Sequence, residues 1–210
     1  MESLQDKTLV MLVGPSAVGK STLMNVVVKQ SDSFKRVSGF TTRAPRTNDE
    51  PGLYRYVTSE EAKERIRDNR LVQYAVHPST GVIYGTEPSD YPGKYNLLDT
   101  LSSVVLELRT LPFQTSITIS LTAPAEQWRT QFLTRYPTQS EDALKRLAEA
   151  KLSIEWSLAQ TDNHVWLNNP RGKLQHTAQR LIAIASQGQT GDDDTNAHAI
   201  LKRIERGVWE

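Results

Sequence analysis

The chain has no cysteine. Disulfides and thiolate-ligated metal sites are therefore excluded. It also lacks an excess of either charge: 25 Lys and Arg stand against 24 Asp and Glu, a formal net charge of +1. No global basic field draws it to nucleic acid, although one local basic cluster exists. No apolar run approaches the roughly 18 residues of a membrane span. The start, Met1-Glu2-Ser3-Leu4-Gln5-Asp6-Lys7, is polar and carries acids; it lacks the basic-then-apolar order of a signal peptide. Neither nucleic acid nor a membrane is expected as a partner, and the cytoplasm is the expected location. There is no internal repeat, and the four histidines show no metal-ligand spacing. What the chain does have is 38% hydrophobic content over 210 residues. That is enough for a core, in one domain with inserts or one domain with a tail.

The richest stretch is Gly14-Pro15-Ser16-Ala17-Val18-Gly19-Lys20-Ser21. It fits the P-loop pattern G-x-x-x-x-G-K-[ST] at every required position. The apolar run Thr8-Leu9-Val10-Met11-Leu12-Val13 precedes it as a buried strand. Thr22-Leu23-Met24-Asn25-Val26-Val27-Val28 follows and can open a helix. In such a loop the glycines let backbone N–H groups turn toward phosphate oxygens, and the helix N-terminus adds partial positive charge. Lys20 is expected to reach the β- and γ-phosphates of a nucleotide. Ser21 is expected to hold Mg²⁺, and Thr22 to touch the α-phosphate.

Short apolar runs recur at 8–13, 95–98, 116–121 and 164–167, with helical patterns between them. That alternation predicts an α/β fold with a parallel sheet flanked by helices. Thr58-x-x-Glu61 is a capping box opening a charged helix to about Asn69. Pro124 suits the first turn of a helix running to about Arg135. Thr138-x-x-Glu141 is a second capping box, opening a long helix to Trp156. Residues 172–186 read as the last core helix. The polar, acidic stretch 187–196 reads as a flexible linker, its three aspartates as a solvated charge run. Ile200, Ile204 and Val208 then mark residues 197–210 as a short amphipathic helix that docks on the body or meets a protein partner.

A second constellation bears on the acceptor. Ser38, Thr41, Thr42, Arg43 and Arg46 stand together, with Tyr54 and Tyr56 downstream. Guanidinium forks beside hydroxyls suit a dianionic phosphate, which they pair bidentately. Ser-x-x-Thr-Thr-Arg-x-Pro-Arg, at this distance after a P-loop, resembles the guanylate kinase family of nucleoside monophosphate kinases. Tyr84-Gly85-Thr86, Asn96-Leu97-Leu98-Asp99, Arg135, Arg146-Leu147 and Asn168 continue the likeness over about residues 8–186.

The resemblance implies one domain, 1–186, in three parts. A P-loop core (8–35, 94–123 and 143–186) binds ATP, with Asn168 near the adenine. A small β-rich insert (36–93) grips the monophosphate, and a helical lid (124–142) closes over both. By the same likeness Ser38, Arg43, Arg46, Tyr54 and Tyr84 hold the acceptor phosphate. Gln73, Thr86 and Asp99 face the acceptor nucleoside. Lys20, Arg43, Arg135 and Arg146 are the implied catalytic side chains. The implied reaction is transfer of the γ-phosphoryl of ATP to GMP or dGMP, with Mg²⁺.

The chain departs from the family pattern in its base pocket. The family's guanine-reading Glu falls at Gln73, and the second Asp of its Asp-x-Asp at Leu101. A lid Arg falls at Gln131, with Arg129 nearby, and the Glu of the long helix at Ser153. Two alternatives stay open on the sequence: a kinase for another phosphorylated acceptor, or a guanylate-kinase-like module that binds protein segments.

Overall fold

The computed structural model describes residues 4–45, 51–76 and 80–210. In chain order its strands are β1 (Thr8–Val13), β2 (Phe34–Arg36), β3 (Gly39–Thr41), β4 (Tyr54–Tyr56), β5 (Gln73–Val76), β6 (Ile83–Thr86), β7 (Tyr95–Asp99), β8 (Thr115–Thr122) and β9 (His164–Asn168). Its helices are α1 (Lys20–Gln30), α2 (Ser59–Arg67), α3 (Val105–Leu108), α4 (Ala125–Arg135), α5 (Glu141–Leu158), α6 (Leu174–Gln187) and α7 (Thr195–Glu205).

β1 is the middle of a five-stranded parallel sheet ordered β2-β7-β1-β8-β9. All its residues are buried, because strands flank it on both sides and helices cover both faces. That is why it reads as an unbroken apolar run, where a half-solvated strand would alternate. Val10 lies between Leu97 and Ile117 in the register. The sheet is thus an α/β P-loop core, as the alternation of elements predicts. A second, four-stranded sheet, β4-β3-β6-β5, stands apart. Its strands are three or four residues long, and Phe40, Ala62 and Ile83 form its small core.

The predicted helices form, with starts shifted by one or two residues: α4 begins at Ala125 with Pro124 as its N-cap, and α6 at Leu174. The Thr58 capping box is complete: Glu61 N–H donates to Thr58 Oγ1 (3.2 Å) and Thr58 N–H to the Glu61 carboxylate (2.8 Å). The second box is not used. Helix α5 begins at Glu141 and is capped by Ser140, whose hydroxyl oxygen accepts from Ala143 N–H at 3.2 Å. Thr138 instead closes a tight turn through its carbonyl, which accepts from Ser140 N–H at 2.9 Å. Helix α7 starts at Thr195 and ends before Gly207, whose φ of 93° turns the chain out of the helix. The stretch expected as a flexible linker is fastened at Asp192, which bridges to Trp166 and pairs with Arg180 at 2.9 Å.

Under β8 and β9 lies a chain of hydroxyls ending on His164. Ser157 donates to the Ser153 carbonyl (2.8 Å), and Ser120 donates to Ser157 Oγ (2.7 Å). Both hydroxyl protons are committed. His164 Nε2, 2.7 Å from Ser120 Oγ, is therefore the N–H donor of a neutral ring. Burial, then the charge of Arg109, pushes the imidazole pKa down from 6.5 to about 4. Between those values the unfolded chain binds a proton that the folded chain refuses. This contribution to stability is present above about pH 6.5 and is lost as the pH falls toward 4. Thermal melts should therefore fall between pH 7 and 5. His164→Gln, which keeps an N–H donor but does not titrate, should flatten that fall. An equally steep fall in the variant would assign the acid sensitivity to other groups.

Candidate active site

The loop after β1 is shaped by backbone that only certain residues tolerate. Gly14 has φ 136°, and a Cβ there would stand 2.5 Å from the Leu121 carbonyl oxygen of β8. No side chain can give way at a backbone atom, so this position requires glycine. Gly19 has φ 98°, and its Cβ would meet the Asn169 amide nitrogen at 2.8 Å. That same amide donates to the Val18 carbonyl at 3.1 Å, tying the loop to the end of β9. Val18 itself is fully buried and pins the loop to the core. From the other side, the Trp128 indole of α4 donates to the Ser16 carbonyl at 3.0 Å. The first turn of α1 carries no acid, so its positive end faces the loop undiluted.

Lys20 opens α1 and turns back into the loop. Its Nζ donates to the Gly14 carbonyl (2.8 Å) and reaches the Pro15 carbonyl (3.4 Å). Asp99, at the end of β7, lies 3.7 Å from it. These groups share the C-terminal edge of the parallel sheet, where α/β folds bind ligands.

The second sheet supplies the opposite wall. Ser38 precedes β3, and its hydroxyl donates to Asp90 at 3.4 Å. Asp90 is buried, at 2% exposure. It accepts both guanidinium nitrogens of Arg55 and the Glu87 N–H (2.8 Å). The bond to Asp90 holds the Arg55 pKa above its usual value despite partial burial. Gln73 in β5 pairs in register with Thr86 in β6. The Thr86 hydroxyl is 2.9 Å from the buried Tyr91 hydroxyl, whose pKa burial pushes up to about 12. Tyr54 and Tyr84 meet edge to face at 6.0 Å, and the Arg43 guanidinium sits over Tyr54 at 5.2 Å.

Between the two walls runs one open cleft of about 1290 Å³. Of the residues singled out in the sequence, it brings together Gly14, Ser16, Ala17, Val18, Gly19, Lys20, Ser21, Thr22, Ser38, Tyr54, Gln73, Tyr84, Thr86, Asp99, Arg135 and Arg146. Pro15 and Arg43 are not on its lining, and Arg46 lies outside the described residues. Asn168 lines a different cavity, and its backbone N–H donates to Asp192 at 2.7 Å. Its neighbour Asn169 is the residue that meets the P-loop. Arg146 pairs with Glu149 (2.9 Å) and Asp142 (3.7 Å).

The structure adds residues that motif reading passes over. Arg36 and Arg171 line the cleft, so among the described residues five basic side chains face two carboxylates, Asp99 and Glu149. The cleft therefore favours a polyanion. Asp90 gives no sequence signal: it sits three residues after Glu87 in a Pro-Gly-rich turn, and its partner Arg55 lies 35 residues away. Leu101 is 60% exposed on the cleft wall.

The guanylate kinase family model matches residues 6–151. A guanylate kinase of Schizosaccharomyces pombe is 30% identical over 155 residues, covering 70% of this chain and 76% of the relative. One from Lactobacillus delbrueckii subsp. bulgaricus is 35% identical over 156 residues, covering 70% and 74%. Among solved structures, guanylate kinase from Anaplasma phagocytophilum superposes with a TM-score of 0.53 at 16% identity, over 89% of this chain and 87% of that one. The last likeness speaks for the fold.

Proposed function

The chain belongs to the guanylate kinase family, and from that premise we propose that it transfers the γ-phosphoryl group of ATP to GMP or dGMP in the cytoplasm. It is a nucleoside monophosphate kinase. One observation carries the reading: a complete P-loop and an acceptor wall of Ser38, Tyr54 and Tyr84 open into the same cleft. A protein-binding module has no use for Lys20 turned into a phosphate loop.

The residues divide the work. Backbone N–H groups of the P-loop and the α1 terminus bind the ATP phosphates, and Lys20 neutralises charge on the β- and γ-groups. Ser38, set by Asp90, and Tyr54 and Tyr84 orient the acceptor phosphate, with Arg43 adding charge from just after β3 and Arg46, by the family likeness, joining it. Arg135 and Arg146 approach the transferring phosphoryl and stabilise the charge it spreads over its oxygens. No covalent intermediate with the protein is needed; alignment and electrostatics carry the rate. Mg²⁺ fits this cleft, because the Ser21 hydroxyl and the Asp99 carboxylate both line it and are hard oxygen donors. Ser21 and Asp99 would hold the ion, which would supply positive charge to the phosphate groups.

A second reading keeps the chemistry and changes the acceptor base. Gln73 presents one acceptor and one donor, and Leu101 presents neither. That edge suits adenine or hypoxanthine better than guanine, which offers two adjacent donors. ADP release measured across a panel of nucleoside and sugar monophosphates tests both readings. Turnover is expected with GMP or dGMP. A larger kcat/KM for AMP or IMP selects the second reading, and turnover with none of them removes the kinase assignment.

A further inference from the structure

Residues 191–210 lie beyond the 6–151 matched by the family model, yet they reach the catalytic cleft through α4. Asp192 fixes the beginning of this segment to β9 and α6, by its carboxylate on Asn168 N–H (2.7 Å) and on Arg180 (2.9 Å). Helix α7 then crosses α4. Ala197, Ile200 and Val208 are fully buried there, in the main core. Arg203 pairs with Glu126 in the first turn of α4 at 3.5 Å. Arg129, in the middle of α4, donates to the Val208 carbonyl at 2.8 Å. At the end of α4, the Trp209 ring meets Phe132 edge-on at 5.9 Å. Its indole N–H donates to the Tyr136 carbonyl at 3.3 Å.

The far side of α4 holds the P-loop. Trp128 donates to the Ser16 carbonyl, and the Tyr136 hydroxyl lies 3.4 Å from Ser16 Oγ. Gln127 accepts from Arg171 N–H (2.7 Å) and donates to the Asn169 carbonyl (3.0 Å). The last carbonyls of a helix have no partner within it. Trp209 supplies one at Tyr136, directly beside Arg135, which lines the cleft.

We propose that the C-terminal segment is a positioning element of the phosphoryl-transfer site: Trp209, through the Tyr136 carbonyl, holds the last turn of α4 and so fixes Arg135. This rests on the kinase reading above. It differs from a merely stabilising tail in one respect, its action through Arg135.

The test uses the full chain and four proteins: wild type, Trp209→Phe, Arg135→Ala and the double variant. Trp209→Phe keeps an aromatic ring and loses the N–H. It should lower kcat about three- to tenfold, the scale of one lost hydrogen bond. KM for the acceptor should stay unchanged, and the amides of 132–136 should exchange faster. In the Arg135→Ala background the same substitution should cost nothing further in kcat, because its effect runs through that arginine. An equal loss in both backgrounds, or no loss in either, overturns the proposal. A wild-type chain inert toward every monophosphate would overturn the kinase reading instead. The brace would then be judged on exchange alone, and unchanged exchange across 132–136 in Trp209→Phe overturns it.

Discussion

Lys20→Ala is expected to lower kcat at least about 100-fold while leaving the melting temperature close to that of the wild type. The size follows from what is removed. A preorganised charge-stabilising donor in a phosphoryl-transfer site is worth roughly 100- to 1000-fold. The folded state is spared because the Lys20 ammonium is no part of the apolar core. It donates to the carbonyls of Gly14 and Pro15 and faces Asp99. Alanine is also a strong helix former, so the start of α1 is not weakened. The loop keeps its shape through Gly14, Gly19, buried Val18 and the bonds from Asn169 and Trp128. Steady-state rates with saturating ATP and acceptor, read beside thermal melts, check both halves. Near-normal turnover would remove Lys20 from the reaction and the P-loop kinase assignment with it.

Gln73→Glu is the second large effect, and it acts on choice of acceptor. Gln73 pairs with Thr86 and lines the cleft, so its side chain is within the acceptor wall. Toward guanine, the amide must turn its one oxygen to one of two adjacent donors and set its own NH₂ against the other. An opposed or unpaired buried donor costs about 1–3 kcal/mol, roughly a ten- to hundredfold preference. A carboxylate accepts from both donors. The variant should therefore raise kcat/KM for GMP by about that factor and lower it for any adenine or hypoxanthine nucleotide the wild type accepts. Leu101→Asp, across the same cleft, should add to the gain. Acceptor profiles of the wild type, the single variants and the double variant measure this. An unchanged profile would move base reading to another residue, with Thr86 the nearest candidate.

Sequence made some of this legible because some local patterns dictate their own backbone. The P-loop is one: Gly14 and Gly19 both take positive φ where the motif requires it. The Thr58 box is another, since both of its bonds lie within four residues. The second box failed for an equally local reason: Thr138 and Ser140 offered competing caps two residues apart, and the turn closed by the Thr138 carbonyl left Ser140 at the helix start. Contacts between distant segments left no comparable trace. The Arg55–Asp90 pair that sets Ser38 joins two unremarkable residues, one in strand β4 and one in the turn after β6. The pattern of α7 gave its apolar face but not the helix it would meet, and no pattern marks Trp209 as the partner of a carbonyl at Tyr136. Asn168 and Asn169 are adjacent and alike in sequence. Only the fold separates the one bound to Asp192 from the one bound to the P-loop.

The most direct measurement is the fate of the γ-phosphoryl group itself. The full chain is incubated with ATP labelled at the γ-position, Mg²⁺ and GMP, and the products are separated. The expected result is label in GDP, dependent on both the acceptor and Lys20. Label released only as inorganic phosphate, or retained in ATP with every monophosphate offered, would contradict the account.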